Sequence, residues 1–350
     1  MKTEHILIIR FSALGDIAMM VPVVYSLAKQ YPHLRITVLS RPFARPLFEE
    51  LASNVGFMEA DVSNEYRGVK GLNALYRRLM AKNFTAIADL HNIIRSKYLR
   101  LRFNLGRHKV AHVNKHHGEK RRLTNQNNKQ LRQLTTAFQN YADVFAELGY
   151  PVKLEFTSIF PQEGGNLHLL PPQVGERKGF QQWIGVAPFA AHRNKVYPLD
   201  KMEEVIQTII QKHPSCRIFL FGGGGKEKEV IDGWQQKYEA CTNASALLRS
   251  IEKELILMSH LDVLVSMDSA NMHLASLVNT PVVSVWGATH PYAGFLGWKQ
   301  DPAHIVQVDL PCRPCSIYGR KACARGDLAC MHEIQPVNII NKVEEILSRR

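Results

Sequence analysis

The sequence predicts an α/β protein made of two doubly wound domains in tandem. Three observations predict it. The chain has 350 residues, a length that suits two domains. Short apolar runs alternate with stretches of helical spacing, the signature of parallel sheets with helices on both faces. The alternation stops once, in a Gly- and Pro-rich stretch at 161–179, and then restarts.

In the first half, His5–Arg10 reads as a buried strand and Ile17–Gln30 as the helix that follows it. Arg35–Leu39 and Ala86–Leu90 read as further strands. Asn127–Gly149 has helical spacing and meets a stop signal at Gly149-Tyr150-Pro151. Beyond the linker, Trp183–Pro188 reads as a strand and Leu199–Lys212 as a helix. Arg217–Phe221 is a strand running into four glycines, Gly222–Gly225, with a helix from Lys226. Asp262–Met267, Asn271–Val278 and Pro281–Trp286 read as strand, helix and strand. The tail, Pro336–Arg350, is an amphipathic helix. In such sheets ligands bind beyond the carboxyl ends of the strands, so a cleft between the two halves is expected.

A hydrophobic share of 45% excludes a disordered or low-complexity chain. No apolar run reaches the ~18–20 residues needed to span a bilayer. The opening Met1–Ile9 imitates a signal peptide, but its apolar run stops at Arg10, and a cytoplasmic protein is expected. The formal charge of +13 is unevenly spread: Arg95–Gln133 holds twelve Lys/Arg against one acid, Glu119. That window carries +11 and leaves +2 for the other 311 residues. A basic segment of this kind attracts polyanions, unless it is simply a solvated face.

Four motifs carry chemistry. Arg10-Phe-Ser12-Ala-Leu-Gly15-Asp16 follows the first strand, where unpaired helix N–H groups favour an anion. It lacks G-x-G-x-x-G, which argues against a nicotinamide cofactor. Asp16 is either a helix cap or a general base at the cleft mouth. The loop His192-Arg193-Asn194-Lys195-Val-Tyr197-Pro198 gathers three cationic or titratable side chains, and Lys195 suits a diphosphate. In the glycine run, Gly223 permits close backbone approach, and Glu227 can accept hydrogen bonds from ribose hydroxyls. Asp268-Ser269-Ala270-Asn271-Met272-His273 places Asp268 as the cap of a helix whose N–H groups meet a phosphate, with His273 in its first turn. The next strand ends at Gly287-Ala288-Thr289.

Along nearly its whole length the chain resembles the family-9 glycosyltransferases, the lipopolysaccharide heptosyltransferases of Gram-negative bacteria. RFSALGD (Arg10–Asp16), DLHNIIRS (Asp89–Ser96), Lys195-Val-Tyr197-Pro198 and DSANMHLASLVNTPVVSVWGAT (Asp268–Thr289) carry the resemblance. Three places depart from the usual pattern: Ala270 for Gly, Ala288 for Pro, and His91-Asn92 for Gln-Gly. The resemblance implies a GT-B fold: two Rossmann-like, doubly wound domains facing a central cleft. It implies an acceptor domain at 1–165, a nucleotide-sugar domain at 166–335, and a C-terminal helix at 336–350 that packs back on the first domain. It implies inverting, metal-independent transfer of a heptose from ADP-heptose to the lipopolysaccharide inner core.

Site residues follow from the same resemblance. Asp16 aligns with the base and Lys195 with the group that neutralises the leaving diphosphate. Ser12, Gly15, Lys195, Gly223, Glu227, Asp268, Ser269, Ala270 and His273 are the expected donor contacts. Arg95, Arg100, Arg102, Arg121 and Arg122 are the expected acceptor contacts, in a cytoplasmic protein peripheral to the inner membrane. The expected partners are the nucleotide-sugar and the lipopolysaccharide core acceptor. The alternatives are another nucleotide-sugar donor or, from a different class, a basic nucleic-acid-binding protein. The segment has few aromatics for stacking, Tyr98 and Phe103, and no nucleic-acid motif, so no nucleic acid is expected. Asp268–His273 also argues against a nucleotide-sugar epimerase. Cys312, Cys315, Cys323 and Cys330 read as reduced, packed thiols, with a thiolate zinc site as the alternative.

Overall fold

The structure is a computed structural model and describes residues 4–177 and 179–349. Residues 1–3 of the opening segment, Lys178 of the linker and Arg350 of the terminal helix lie outside the described residues. The chain forms two compact units: Met1–His116 with Thr135–Ile159, and His117–Leu134 with Phe160–Arg350.

The first unit holds a parallel sheet of β1 (His5–Ile9), β2 (Arg35–Ser40), β3 (Val55–Glu59), β4 (Ala86–Asp89) and β5 (Lys109–His112). Their order is β3-β2-β1-β4-β5. The central strand reads HILII and is buried throughout, as a strand covered on both faces must be. The chain turns from β1 outward in both directions, so the switch point lies between β1 and β4. Arg10 to Ser12 and Leu90 to Asn92 leave the sheet there.

The second unit holds β6 (Gln182–Ala187), β7 (Cys216–Leu220), β8 (Cys241–Asn243), β9 (Val263–Met267), β10 (Val282–Val285) and β11 (Ile305–Val306). All pairs are parallel, in the order β11-β10-β9-β6-β7-β8. Its switch point lies between β6 and β9, whose carboxyl ends carry the 188–197 loop and Asp268. Each unit is therefore doubly wound, and each presents one candidate motif at its own switch point.

Three expectations are corrected. The boundary falls at 159/160 and not at 165/166, and one excursion crosses it. Residues 117–134 belong to the second unit because Leu123 and Leu134 pack with Ala293, Phe295 and Ile317. Lys129 fastens them, its ammonium donating to the carbonyls of Pro311 (2.8 Å) and Arg313 (2.7 Å). The terminal helix, Pro336–Leu347, packs on Leu199–Lys212, β9 and β10 of the second unit. Its apolar stripe of Ile339, Ile340, Val343 and Ile346 completes that unit's core. The helix expected at Asn127–Gly149 spans only Ala137–Glu147. It begins at Thr136, whose hydroxyl accepts from Gln139 N–H at 3.2 Å. Among the described residues no helix is long and apolar enough to cross a membrane.

Candidate functional site

In the first unit the polar residues after β1 and β4 form one network. Arg10 is nearly buried, and its Nη2 lies 2.7 Å from Asp16 Oδ2. The same guanidinium donates to Leu90 O at 2.5 Å and lies 5.6 Å over the Tyr141 ring. Tyr141 Oη in turn donates to Asp16 O at 3.5 Å. Asp16 is not the helix cap. It occupies the third position of Leu14–Ala18, behind Ala13 at the cap, and its carboxylate reaches Ala13 N–H at 3.4 Å. Its side chain remains 29% exposed, enough to meet a substrate while one oxygen is held.

His91 supports this loop from below. Its Nδ1 accepts from Phe11 N–H at 3.3 Å, so Nε2 carries the proton toward Ser12 Oγ, also at 3.3 Å. Burial, reinforced by the Arg10 charge, holds the imidazole down to about 3 from its ordinary 6.5. The unfolded chain therefore takes up a proton between pH 6.5 and about 3 that the folded chain refuses. The neutral ring's contribution is present above pH 6.5 and is lost as pH falls through that window. His91→Gln is expected to flatten the fall in stability over this range, measured by denaturant unfolding at successive pH values. Parallel curves for the two proteins would contradict it.

Asp89, fully buried, accepts from His91 N–H (3.0 Å) and Asn92 N–H (2.8 Å) through Oδ1. Its Oδ2 pairs with Arg100 at 3.2 Å. Arg100 is thus committed to the fold. So is Arg102, which donates to Asn73 Oδ1 and lies 4.5 Å over the Tyr76 ring. Arg95 is exposed on the same helix, Ile94–Leu105, whereas Arg121 and Arg122 are exposed on His117–Leu123 of the second unit. Of the five arginines expected on the acceptor, Arg95, Arg100 and Arg102 belong to the first unit and Arg121 and Arg122 to the second. Ser12 and Gly15, expected among the donor contacts, belong to the first unit, and the other residues of that group belong to the second.

In the second unit Lys195, closing the short turn Arg193–Lys195, meets Asp268 at the end of β9. Nζ and Oδ2 are 3.0 Å apart, and both side chains are largely buried. Thr289 donates to the same Oδ2 at 2.7 Å. Asp268 is not the helix cap either, for Ser269 holds that position ahead of Ala270–Leu277. The helix therefore starts one residue beyond the carboxylate, leaving Ser269 and Ala270 at its amino end and His273 buried in its first turn. Glu227 folds back so that Oε2 accepts from Gly223 N–H at 2.7 Å.

Arg313 is missed by sequence reasoning. It is 5% exposed and donates to the carbonyls of Gly287 (2.5 Å), Trp286 (3.2 Å) and Thr289 (3.0 Å). It also donates to Gln307 Oε1 at 2.9 Å and to the Val308 carbonyl. One planar guanidinium thereby fixes the turn that carries Thr289. Its only sequence signal is its place inside Cys312-Arg313-Pro314-Cys315.

The four C-terminal cysteines border a common space of about 30 Å³, room for about one water. Burial raises the Cys315 thiol and pushes the Cys330 thiol up to about 11. Among the described residues no group of three or more His, Cys, Asp or Glu is arranged to hold a metal ion.

The family model described as Glycosyltransferase family 9 (heptosyltransferase) matches residues 72–323. Lipopolysaccharide heptosyltransferase 1 of Campylobacter coli is 26% identical over 358 residues, covering 97% of this chain and 98% of the relative. The family-9 glycosyl transferase of Veillonella parvula superposes with a TM-score of 0.73 at 17% identity, over 100% of this chain and 99% of the other. The E. coli heptosyltransferase WaaC with ADP gives 0.66 at 16%, over 98% and 99%. These likenesses identify the two parallel sheets as the GT-B fold.

Proposed function

The chain belongs to glycosyltransferase family 9, the heptosyltransferases, and from that premise we propose that it moves a heptose from ADP-heptose to the lipopolysaccharide inner core. The observation that carries the donor half of this reading is the Lys195–Asp268–Thr289 cluster at the switch point of the second sheet. Asp268 orients the ammonium, and the adjacent helix amino end adds partial positive charge. Both face the position where a diphosphate gains charge as it leaves. The E. coli heptosyltransferase WaaC, similar in fold and solved with ADP, supports an adenine nucleotide.

Asp16 accepts the proton of the acceptor hydroxyl. The freed oxygen attacks the anomeric carbon, the bond from that carbon to the diphosphate oxygen breaks, and ADP departs with its new charge held by Lys195. Attack from the face opposite the leaving group inverts the anomeric centre. Glu227 is the ribose contact in this reading, released from Gly223 when the nucleotide enters. Ser269, Ala270 and His273 line the phosphates. Arg95, Arg121 and Arg122 meet the phosphates and acidic sugars of an acceptor held at the membrane surface, while Arg100 and Arg102 act only by shaping the fold.

The test is a donor screen. ADP- and UDP-sugars are incubated with truncated lipopolysaccharide cores, and mass addition to the core is recorded. Addition from ADP-heptose alone is expected. Addition from a UDP-sugar in its place would move the chain to a different donor within the same family.

A further inference from the structure

The segment between the clustered cysteines, residues 312–330, contributes Arg313 to the Thr289 turn and no proposed ligand contact. Its middle turn nevertheless lies against the donor loop. Gly319 is buried, with φ of +77°, a conformation that favours glycine. A Cβ placed there would fall 2.6 Å from Lys195 Cδ, 2.7 Å from Lys195 Cγ and 3.5 Å from His192 Cβ. The stem of the proposed leaving-group lysine thus runs across a surface that only glycine provides.

The neighbours of Gly319 extend the contact. Arg320 donates through Nε to His192 Nε2 at 3.4 Å and lies 5.7 Å over the Tyr318 ring. Asn194 donates its side-chain amide to Lys321 O. The turn is also anchored upstream, where Cys315 N–H (3.1 Å) and Ser316 N–H (3.2 Å) both donate to Ala288 O. Ala288 adjoins Thr289, whose hydroxyl holds Asp268. Residues 315–321 therefore touch both loops that build the Lys195 cluster.

We propose that this turn completes the donor-diphosphate site, with Arg320 binding the nucleotide phosphates beside Lys195 and Gly319 setting the path of the lysine stem.

Charge chemistry favours this over a merely solvated arginine. Arg320 is exposed, and among the described residues its polar side-chain partner is an imidazole and not a carboxylate. Burial, then the Arg320 and Lys195 charges, hold the His192 imidazole below its ordinary value, so its charged form is disfavoured there. Asp268 is already shared by Lys195 and Thr289. Cations gathered at one place repel each other until an anion arrives, and a guanidinium presents a fork that matches two phosphate oxygens. A nucleoside diphosphate is the ligand class this fits.

The inference rests on the donor reading, and one experiment separates the two. ADP and adenosine are titrated calorimetrically into the full-length wild type, Arg320→Ala, Arg320→Lys and Gly319→Ala. Arg320→Ala is expected to raise the ADP Kd about tenfold, the size of one charge-assisted contact, and to leave adenosine affinity unchanged. Arg320→Lys is expected to fall between it and the wild type. Gly319→Ala is expected to weaken ADP while the melting transition stays cooperative. An ADP Kd for Arg320→Ala within about twofold of wild type overturns the proposal. An equal loss of adenosine binding also overturns it, because the effect is then not on phosphate. Failure of the wild type to bind ADP at all overturns the donor reading, and this inference with it.

Discussion

Asp16→Ala is expected to lower heptosyl transfer by about 10²–10⁴-fold, the range for loss of a positioned general base. ADP affinity is expected to stay within about twofold, because the residues proposed for the nucleotide lie in the other unit. The alanine variant also removes a carboxylate that lies 2.7 Å from a nearly buried guanidinium. A stability loss on the order of 2 kcal/mol should accompany it. Asp16→Asn separates the two effects, since the amide oxygen still accepts from Arg10 but has no basic electron pair to take a proton. Both variants should lose transfer, and only alanine should lose much stability. Near-normal transfer by Asp16→Asn would remove Asp16 from the chemistry.

Lys195→Met is the second large expectation. Loss of the cation proposed to meet the leaving diphosphate should lower kcat by about 10²–10³-fold, the usual effect of deleting one preorganised stabilising group. It also strands the Asp268 carboxylate, largely buried and left with Thr289. That should destabilise the second unit by about 3 kcal/mol. In Lys195→Met/Asp268→Asn the stranded charge is gone. Thermal melting should therefore recover toward wild type, while transfer should not. Recovery of transfer in the double variant would mean that Lys195 serves only to neutralise Asp268.

The sequence made the centres of both sheets legible and their edges obscure. HILII at β1 and VLVSM at β9 are buried along their length, so an apolar run is all they need to be read. β5 reads KVAH, with both ends exposed, and sits inside the basic segment where charge masks its pattern. β8 and β11 have three and two residues, too short for any periodicity. The terminal helix was legible as amphipathic, but nothing in its stripe says which core it covers. The 117–134 excursion was hidden for a similar reason: Leu123 and Leu134 are two apolar residues among cations, and their partners lie far along the chain.

The site divides the same way. Asp16, Lys195, Asp268 and Thr289 could be found because each follows a readable strand or opens a readable helix. Their partners could not. Arg10 ends a strand and reads as its flank, yet it holds Asp16. Arg313 and Gly319 act on residues more than twenty and more than one hundred positions away, respectively, and neither carries a local pattern. Charge counting finds the basic segment but not the internal partners of its arginines, for Asp89 pairs with Arg100 and Asn73 accepts from Arg102.

The proposed reaction is direct, inverting transfer of a heptose by this chain. Proton NMR of a reaction containing ADP-heptose and a heptose-deficient core tests it most directly. The donor's anomeric signal should be replaced by one new glycosidic linkage of opposite configuration, with one ADP released for each linkage made. A linkage of retained configuration, or release of free heptose and ADP with the core unchanged, would contradict it.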